Sequence, residues 1–475
     1  MHRSVGNSIS NIALYIVKAL HYGTSLVLFF VFWMLFKYGT VYFEFSVRFR
    51  YNYFVLGLYA LMLLFFIEVY NAYYLGYVPV KRLIFYQFLS QLLSVVIVYI
   101  VVTIAWAHVY NPVPLLIALA IQLVLDVVWS TIANNVYIKL HRTRNTILIY
   151  GNKFDKIFYN VLLGKPSEKL YHVSKTVEYD GDSFKEIKSA VEGFDAIFAV
   201  GVHLHCRNDM MKYCKENRVP LFFIPTVGDV IVKDSHHLKS FDAPVFFVSR
   251  SHPNPGYAFF KRAFDILASG VGLIIISPIL LITGLAIHFY DGGPAFYKQT
   301  RLTIDDKEFK IIKFRSMRVD AESIGGVQFS TGKNDPRVTP IGRFIRKIRF
   351  DELPQLWNIF KGDMSFVGPR PERPEFAEKF YEYLPEFRLR LQVKAGLTGY
   401  AQVYGRYNSD PYEKLIFDLL YINNMNIRTD IMLFFATIAI LFSSNSTKGY
   451  DNGQGNAKVD EETQKRFAVK NEEEI

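Results

Sequence analysis

Two acids in adjacent positions, Asp351 and Glu352, open the stretch DELPQLWNIFKGDMSFVGPRPE directly behind Arg343, Arg346, Lys347 and Arg349. An aspartate can attack an activated phosphorus, and a neighbouring glutamate can hold the Mg²⁺ that shields a pyrophosphate's charge. Such chemistry needs cations nearby, because electrostatic stabilisation of the phosphoryl transition state is the main protein contribution. A nucleotide diphosphate is the substrate class that would need both the acids and the cations. Adjacent acids also arise by chance at this composition, as at Asp305 and Asp306, so the pair takes its meaning from its surroundings.

Those surroundings are dense in positive charge. FKIIKFRSM places Lys310, Lys313 and Arg315 upstream of the acids. In a helix the two lysines share a face, whereas in a strand they fall on opposite faces. Basic clusters of this kind also serve as solvated faces or lipid-headgroup contacts. In SFVGPRPE, Arg370 stands between two prolines that fix the chain's φ angles. This is either a rigid turn alone or a stiff mount for bidentate phosphate contact.

The elements that must position these residues divide along the chain. Its 475 residues are too many for one ordinary core. The apolar half of the sequence crowds the first third. The net charge of +11 suits a nucleic acid, an anionic lipid surface or a phosphorylated substrate. The membrane segments favour the last two, so no nucleic acid is expected. Cys206 and Cys214 fit neither a zinc site nor a disulfide framework and read as buried thiols. The N-terminal residues lack the pattern of a removable signal peptide.

Four apolar stretches, Ile12 to Phe36, Phe54 to Leu75, Leu83 to Tyr110 and Val113 to Tyr137, are each near the length of a spanning helix. Lys81, Arg82, Lys139, Arg142 and Arg144 put both ends of this bundle in the cytoplasm, while Lys37, Arg48 and Arg50 argue the other way. From Asn145 to Val248 five short runs, TILIYG, LYHVSKTVEY, DAIFAV, PLFFIP and PVFFVS, alternate with polar stretches and predict a small α/β sheet. Gly151 is a single glycine where a dinucleotide fingerprint has three, which argues against nucleotide binding there. Tyr171 and Lys175 match the spacing of a reductase pair but lie too early in the domain for that chemistry. SHPNPGY, Ser251 to Tyr257, reads as a linker.

A further apolar run, Phe264 to Phe289, is long enough to cross a bilayer. Ser277 and Pro278 interrupt its middle. Proline removes a backbone donor and bends the helix, and the serine hydroxyl can satisfy a freed carbonyl. Cations flank both ends, Lys261 and Arg262 before and Lys298, Arg301 and Lys307 after, so the segment is expected to dip in and return to one face. The alternative is a proline-kinked spanning helix. The stretch from Asp430 to Phe442 is too short to span and should lie at the interface or in the core.

KRAFDI, the Ser277–Pro278 break, KFRSM, DELPQLWNIFKGDMSFVGPRP, AGLTGYAQVYGR and FDLLYI occur in this order between Lys261 and about Tyr450. Together they resemble the bacterial sugar transferase family, the monotopic polyprenyl-phosphate phosphoglycosyl transferases. The resemblance implies that Asp351 attacks the β-phosphorus of a UDP-sugar, expels UMP and forms an aspartyl phosphosugar, which undecaprenyl phosphate then takes up. By the same implication Glu352 helps bind Mg²⁺, Arg370 contacts phosphate, and Ser277 and Pro278 shape a re-entrant membrane helix. Substrate roles for Lys313, Arg315, Arg349, Arg406 and Asp418 follow from charge and motif membership.

The expected architecture is a membrane protein of α plus α/β class. It comprises a four-helix transmembrane bundle (1–143), a Rossmann-like α/β domain (144–250), a mostly helical catalytic domain (251–450) with a re-entrant helix at 262–290, and a mobile tail (451–475). The expected product is glucose or galactose 1-phosphate carried on undecaprenyl phosphate at the cytoplasmic face of the bacterial inner membrane, starting an exopolysaccharide or capsule. A homodimer is compatible with such a bundle. Two rivals stay open: a membrane-bound nucleotide-sugar dehydratase or epimerase built on the middle domain, and a non-catalytic assembly subunit.

Overall fold

The computed structural model describes residues 2–38, 47–151, 169–233, 235–238, 245–251, 253–321, 335, 337–405 and 410–441. The expected tail, 451–475, and Arg406 lie outside these residues. The chain divides into two compact units, Met1–Ile224 and Pro225–Ile475.

In the first unit, α1 (His2–Tyr38), α2 (Val47–Val69), α3 (Val80–Trp106) and α4 (Val113–Leu140) follow the four apolar stretches. Each contains a segment long and apolar enough to cross a membrane. Phe29, Trp33, Tyr59, Leu63 and Val98 fill the space between these helices. The chain then enters a four-stranded parallel sheet of order β2–β1–β3–β4, with β1 at Arg144–Tyr150, β2 at Tyr171–Glu178, β3 at Ala196–Val200 and β4 at Leu221–Phe223. Two helices, α5 (Phe184–Val191) and α6 (Leu204–Asn217), bury Ile187, Met210, Cys206 and Cys214 against Ile147 and Ile197. Both cysteines are buried free thiols, as their spacing predicts.

The lone glycine of this sheet has a packing role. A Cβ on Gly151 would stand 2.1 Å from the carbonyl oxygen of Gly201, so the end of β1 approaches the turn after β3 more closely than any side chain permits. Tyr171 is buried against Phe198 and Phe222, whereas Lys175 is exposed, so the two form no reductase-like pair.

Two expectations for the middle of the chain change. The fifth strand-like run does not join the parallel sheet. Its residues form β6 (Val245–Phe247), which pairs antiparallel with β5 (His236–Leu238). Both strands, with α7 (Val227–Lys233), fall in the second unit, where Val230 enters the main core and its carbonyl accepts a bond from Asn423 Nδ2. The compact division therefore lies at Ile224/Pro225. The presumed linker also turns out to be a helix start: Asn254 Oδ1 accepts the Gly256 N–H, and Pro255 occupies the first turn, where its missing donor costs nothing.

That start opens α8 (Pro255–Asp291), 37 residues with an exposed apolar middle that includes Ile274, Ile275, Leu281 and Ile282. The residues on both sides of Pro278 are helical, so the proline lies inside the helix and not in a loop. Pro278 leaves the Ile274 carbonyl without its helical donor, and the Ser277 hydroxyl donates to that same carbonyl at 2.8 Å. Downstream come the antiparallel pair β7 (Phe296–Leu302) and β8 (Glu308–Phe314), then α9 (Pro340–Lys347) and α10 (Gln355–Lys361). β9 (Ser365–Val367) pairs in parallel with β10 (Gly396–Thr398), and α11 (Pro374–Tyr383), the short α12 (Tyr400–Val403), α13 (Pro411–Asn423) and α14 (Ile427–Leu441) complete the unit. Phe309, Ile359, Phe366, Phe387, Leu415 and Leu433 centre its core. Helix α14 accordingly packs in the core, where Phe434 meets Phe264 and Phe366 edge-on.

Candidate active site

The acids sit in a one-turn helix, Phe350–Glu352, between α9 and α10. Thr339 caps α9 by accepting the Gly342 N–H. The helix ends at Ile348. Arg349 then turns the chain through the left-handed region (φ 54°, ψ 26°), a conformation that disfavours a residue with a Cβ and that collects at functional sites. Pro354, two residues past Glu352, is the N-cap of α10.

Glu352 is the hub. Its side chain is 14% exposed and faces three cations: Arg370 Nη2 donates to Oε1 at 2.9 Å, Lys313 Nζ lies 3.8 Å from Oε1, and Arg349 Nη1 lies 3.7 Å from Oε2. Burial alone would raise its pKa, but Arg370, Lys313 and Arg349 outweigh that and hold the carboxyl well below the usual range. Burial pushes Asp351 the other way, up to about 6. Glu352 adds to that rise, and Lys313, Arg346 and Arg349 oppose it. The surrounding cations thus favour the ionised form of Glu352, while burial opposes ionisation of Asp351. Lys313 comes from β8, and the strand geometry puts Lys310 on the other face, exposed. Burial, with Arg370 and Arg301, brings Lys313 down to about 8 despite Glu352.

Arg370 lies just past β9 on a loop whose carbonyls are tied by several elements. Lys261 Nζ and the Tyr421 hydroxyl donate to Val367 O at 3.0 and 3.2 Å. The Gly396 N–H donates to Pro369 O, Arg390 Nη2 to Arg370 O at 2.7 Å, Arg301 Nη1 to Pro371 O, and the Leu302 N–H to Glu372 O. Close approach of the two parallel strands is possible because both partners are glycine. A Cβ on Gly396 would lie 2.1 Å from Gly368 N, and one on Gly399 would lie 2.4 Å from Gly368 O. The glycines of AGLTGY thus hold the Pro-Arg-Pro loop. With its backbone fixed, the Arg370 side chain remains 41% exposed while it contacts Glu352.

The structure brings Asp351, Glu352, Lys313, Arg349 and Arg370 together. It places two other candidates elsewhere. The guanidinium of Arg315 is clamped on both carboxylate oxygens of Asp291, at 2.6 and 2.5 Å, and donates to Pro294 O, so it fastens the end of α8 to β8. Asp418 is 1% exposed and paired with Arg390, itself 3% exposed, which makes it a support for the Arg370 loop and not a surface for a soluble ligand. Ser277 and Pro278 lie in α8, away from the acids in sequence and within its apolar stretch.

Sequence reading missed this supporting layer. Lys261 and Arg262, taken as membrane-flanking charges, are occupied internally: Lys261 pairs with Asp430 at 2.6 Å, and Arg262 donates to the carbonyls of Ile359 and Phe360 at the end of α10. Asp265 accepts the Phe366 N–H. The presence of KRAFDI ahead of the other motifs is the signal the sequence offers. No cluster of three or more His, Cys, Asp or Glu side chains occurs among the described residues.

A profile of the bacterial sugar transferase family matches residues 256–444. The chain is 34% identical over 270 residues to the UDP-glucose:undecaprenyl-phosphate glucose-1-phosphate transferase of Klebsiella pneumoniae, covering 55% of this chain and 57% of that protein. It is 40% identical over 194 residues to the UDP-N-acetylgalactosamine-undecaprenyl-phosphate N-acetylgalactosaminephosphotransferase of Aeromonas hydrophila, covering 40% and 45%. It is 40% identical over 186 residues to the exopolysaccharide production protein PSS of Rhizobium leguminosarum bv. phaseoli, covering 38% of this chain and 92% of that one. The matched part thus spans about half the length of the first two relatives.

Proposed function

Because the chain belongs to the bacterial sugar transferase family, we propose that it moves a sugar 1-phosphate from a UDP-sugar to undecaprenyl phosphate through an aspartyl phosphosugar. The observation that carries this reading is the gathering of Arg370, Lys313 and Arg349 on Glu352, next in the chain to a half-buried Asp351.

In the first half-reaction a carboxylate oxygen of Asp351 forms a bond to the β-phosphorus of the UDP-sugar, and the bond from that phosphorus to the bridging oxygen breaks. The electron pair leaves with UMP. In the second, a phosphate oxygen of undecaprenyl phosphate attacks the same phosphorus, breaks the Asp351–phosphorus bond and restores the carboxylate. Arg370 and Lys313 stabilise the charge that builds on the phosphoryl oxygens. The fixed loop backbone means that Arg370 pays little entropy to meet it. Mg²⁺ characteristically binds through one or two carboxylates together with substrate phosphates and water, a donor set that Glu352 and Asp351 fit. When bound it would shield the pyrophosphate.

The membrane setting follows from the substrates, one lipid and one soluble. The N-terminal turns of α8 are fastened to the second unit by Lys261, Arg262 and Asp265, and its C-terminal turns by Ile287 against Phe314 and Ile345 and by Asp291 on Arg315. Both ends of one apolar helix on one compact unit support entry and return from a single face, which we assign to the cytoplasmic side of the inner membrane. Exposed Phe344, Trp357 and Phe360 suit the headgroup level. Similar proteins are named for glucose, galactose and N-acetylgalactosamine, so the choice of sugar falls to the test. The test is UMP release by the purified chain with Mg²⁺, undecaprenyl phosphate and a panel of UDP-glucose, UDP-galactose and UDP-N-acetylgalactosamine. No UMP with any sugar would overturn the reading.

A further inference from the structure

The bundle of the first unit holds a buried polar cluster that the transferase chemistry leaves unused. Asp126, near the middle of α4, is fully buried. Its Oδ1 accepts from His21 Nε2 at 2.9 Å, Gln91 Nε2 at 3.0 Å and Gln122 Nε2 at 3.1 Å. A carboxylate only accepts, so His21 Nε2 carries the proton, and in a neutral imidazole Nδ1 accepts from the Tyr73 hydroxyl at 2.8 Å. Trp129 packs on the imidazole with ring centroids 4.4 Å apart.

What is missing is as specific as what is present. Asp126 Oδ2, Gln91 Oε1 and Gln122 Oε1 are buried without a hydrogen-bond partner. All three are acceptors. Both amides are anchored on Asp126 Oδ1, so their oxygens hang within an amide's width of the same carboxylate. Among the described residues no Lys or Arg pairs with Asp126. A buried carboxylate in a membrane bundle is costly unless its charge is matched by a cation or removed by a proton.

We infer that Asp126, Gln91 and Gln122 form a binding site for one monovalent alkali cation within the helix bundle. The competing arrangements each solve part of the problem: a proton on Asp126 Oδ2 removes the charge and can bond one amide oxygen, but leaves the other without a donor. An imidazolium at His21 balances the charge but leaves three oxygens unpartnered. Water partners the oxygens but leaves the charge. A divalent ion overbalances a single carboxylate, whereas an alkali cation takes oxygen ligands and brings the net charge to zero. The site ties α3 to α4 and, through His21, to α1, so its occupancy stabilises the bundle by mass action.

The full chain in detergent micelles provides the test. Thermal unfolding is followed in NaCl, KCl, LiCl and N-methyl-D-glucamine chloride at equal ionic strength with EDTA present, alongside retention of radiolabelled Na⁺ or Rb⁺. One alkali cation should raise Tm saturably and be retained at about one per chain. Gln122→Met, which keeps the carboxylate, should weaken the apparent affinity at least tenfold, and Asp126→Asn should abolish retention. Equal Tm in all four salts with no retained ion would mean that water, an imidazolium or a protonated Asp126 completes the cluster and would overturn the inference. Retention that survives in both variants would also overturn it by placing the ion elsewhere.

Discussion

Arg370 is held twice, by two acid–cation clusters built from the same residue types. On its side-chain face, Glu352 meets Arg370, Lys313 and Arg349 with the Arg370 side chain 41% exposed. On its backbone face, Arg390 donates to its carbonyl and is sealed against Asp418, with Glu372 3.7 Å away. The sealed cluster spends its charges on each other and on main-chain carbonyls. The open cluster leaves cationic surface facing outward. The contrast rests on the two arginines: Arg370 keeps 41% of its side chain exposed, whereas Arg390 keeps 3%.

Substitutions should divide along the same line. The largest effect belongs to Asp351→Asn, for which UMP release should fall on the order of 10³-fold or more while Tm stays within a few degrees of the parent. Next comes the sealed side. Arg390→Met leaves Asp418 buried without its partner, at an expected cost of about 3–5 kcal/mol in denaturant unfolding, and turnover should fall with it because the loop loses a carbonyl donor. If Arg390→Met unfolds no more easily than the parent, the sealed cluster is not supporting the fold.

Arg370→Lys keeps the charge and removes the planar fork. It should lower kcat/KM by about 10- to 100-fold with little change in Tm, and an unchanged kcat/KM would remove Arg370 from phosphate contact. The smallest effect concerns pH. Burial raises the Asp418 pKa to about 6, outweighing Arg390, and this lies above the ordinary carboxylate value near 4. Folding thus favours its protonated form, so its own contribution to stability is greatest below about pH 4 and declines as pH rises through about 6. The Tm of the parent should fall relative to Asp418→Asn across that window; parallel Tm curves would contradict the assignment.

Much of the open cluster could be read from sequence because it is local or announces itself by punctuation: the Asp351–Glu352 pair, the basic run before it, and prolines around Arg370. The sealed layer could not be read. Lys261 and Asp430 are 169 residues apart and Tyr421 meets Val367 across 54, distances over which charge pattern carries no pairing information. The Arg315–Asp291 pair is hidden for the same reason, since nothing in KFRSM points at Asp291. The strand-like run at Val245 had the right period, but period does not encode a partner strand. Asn254-Pro255-Gly256 looked like a linker because proline and glycine mark helix starts and connections alike.

The central claim, that Asp351 becomes covalently phosphorylated by the sugar donor, is tested most directly by trapping. Purified chain is incubated with a radiolabelled UDP-sugar and Mg²⁺ in the absence of undecaprenyl phosphate, quenched, digested and sequenced by mass spectrometry. The account predicts one phosphosugar on the peptide containing Asp351, with one UMP released per chain and the label discharged when undecaprenyl phosphate is added. A label carried by another residue, or one that persists in Asp351→Asn, would contradict it.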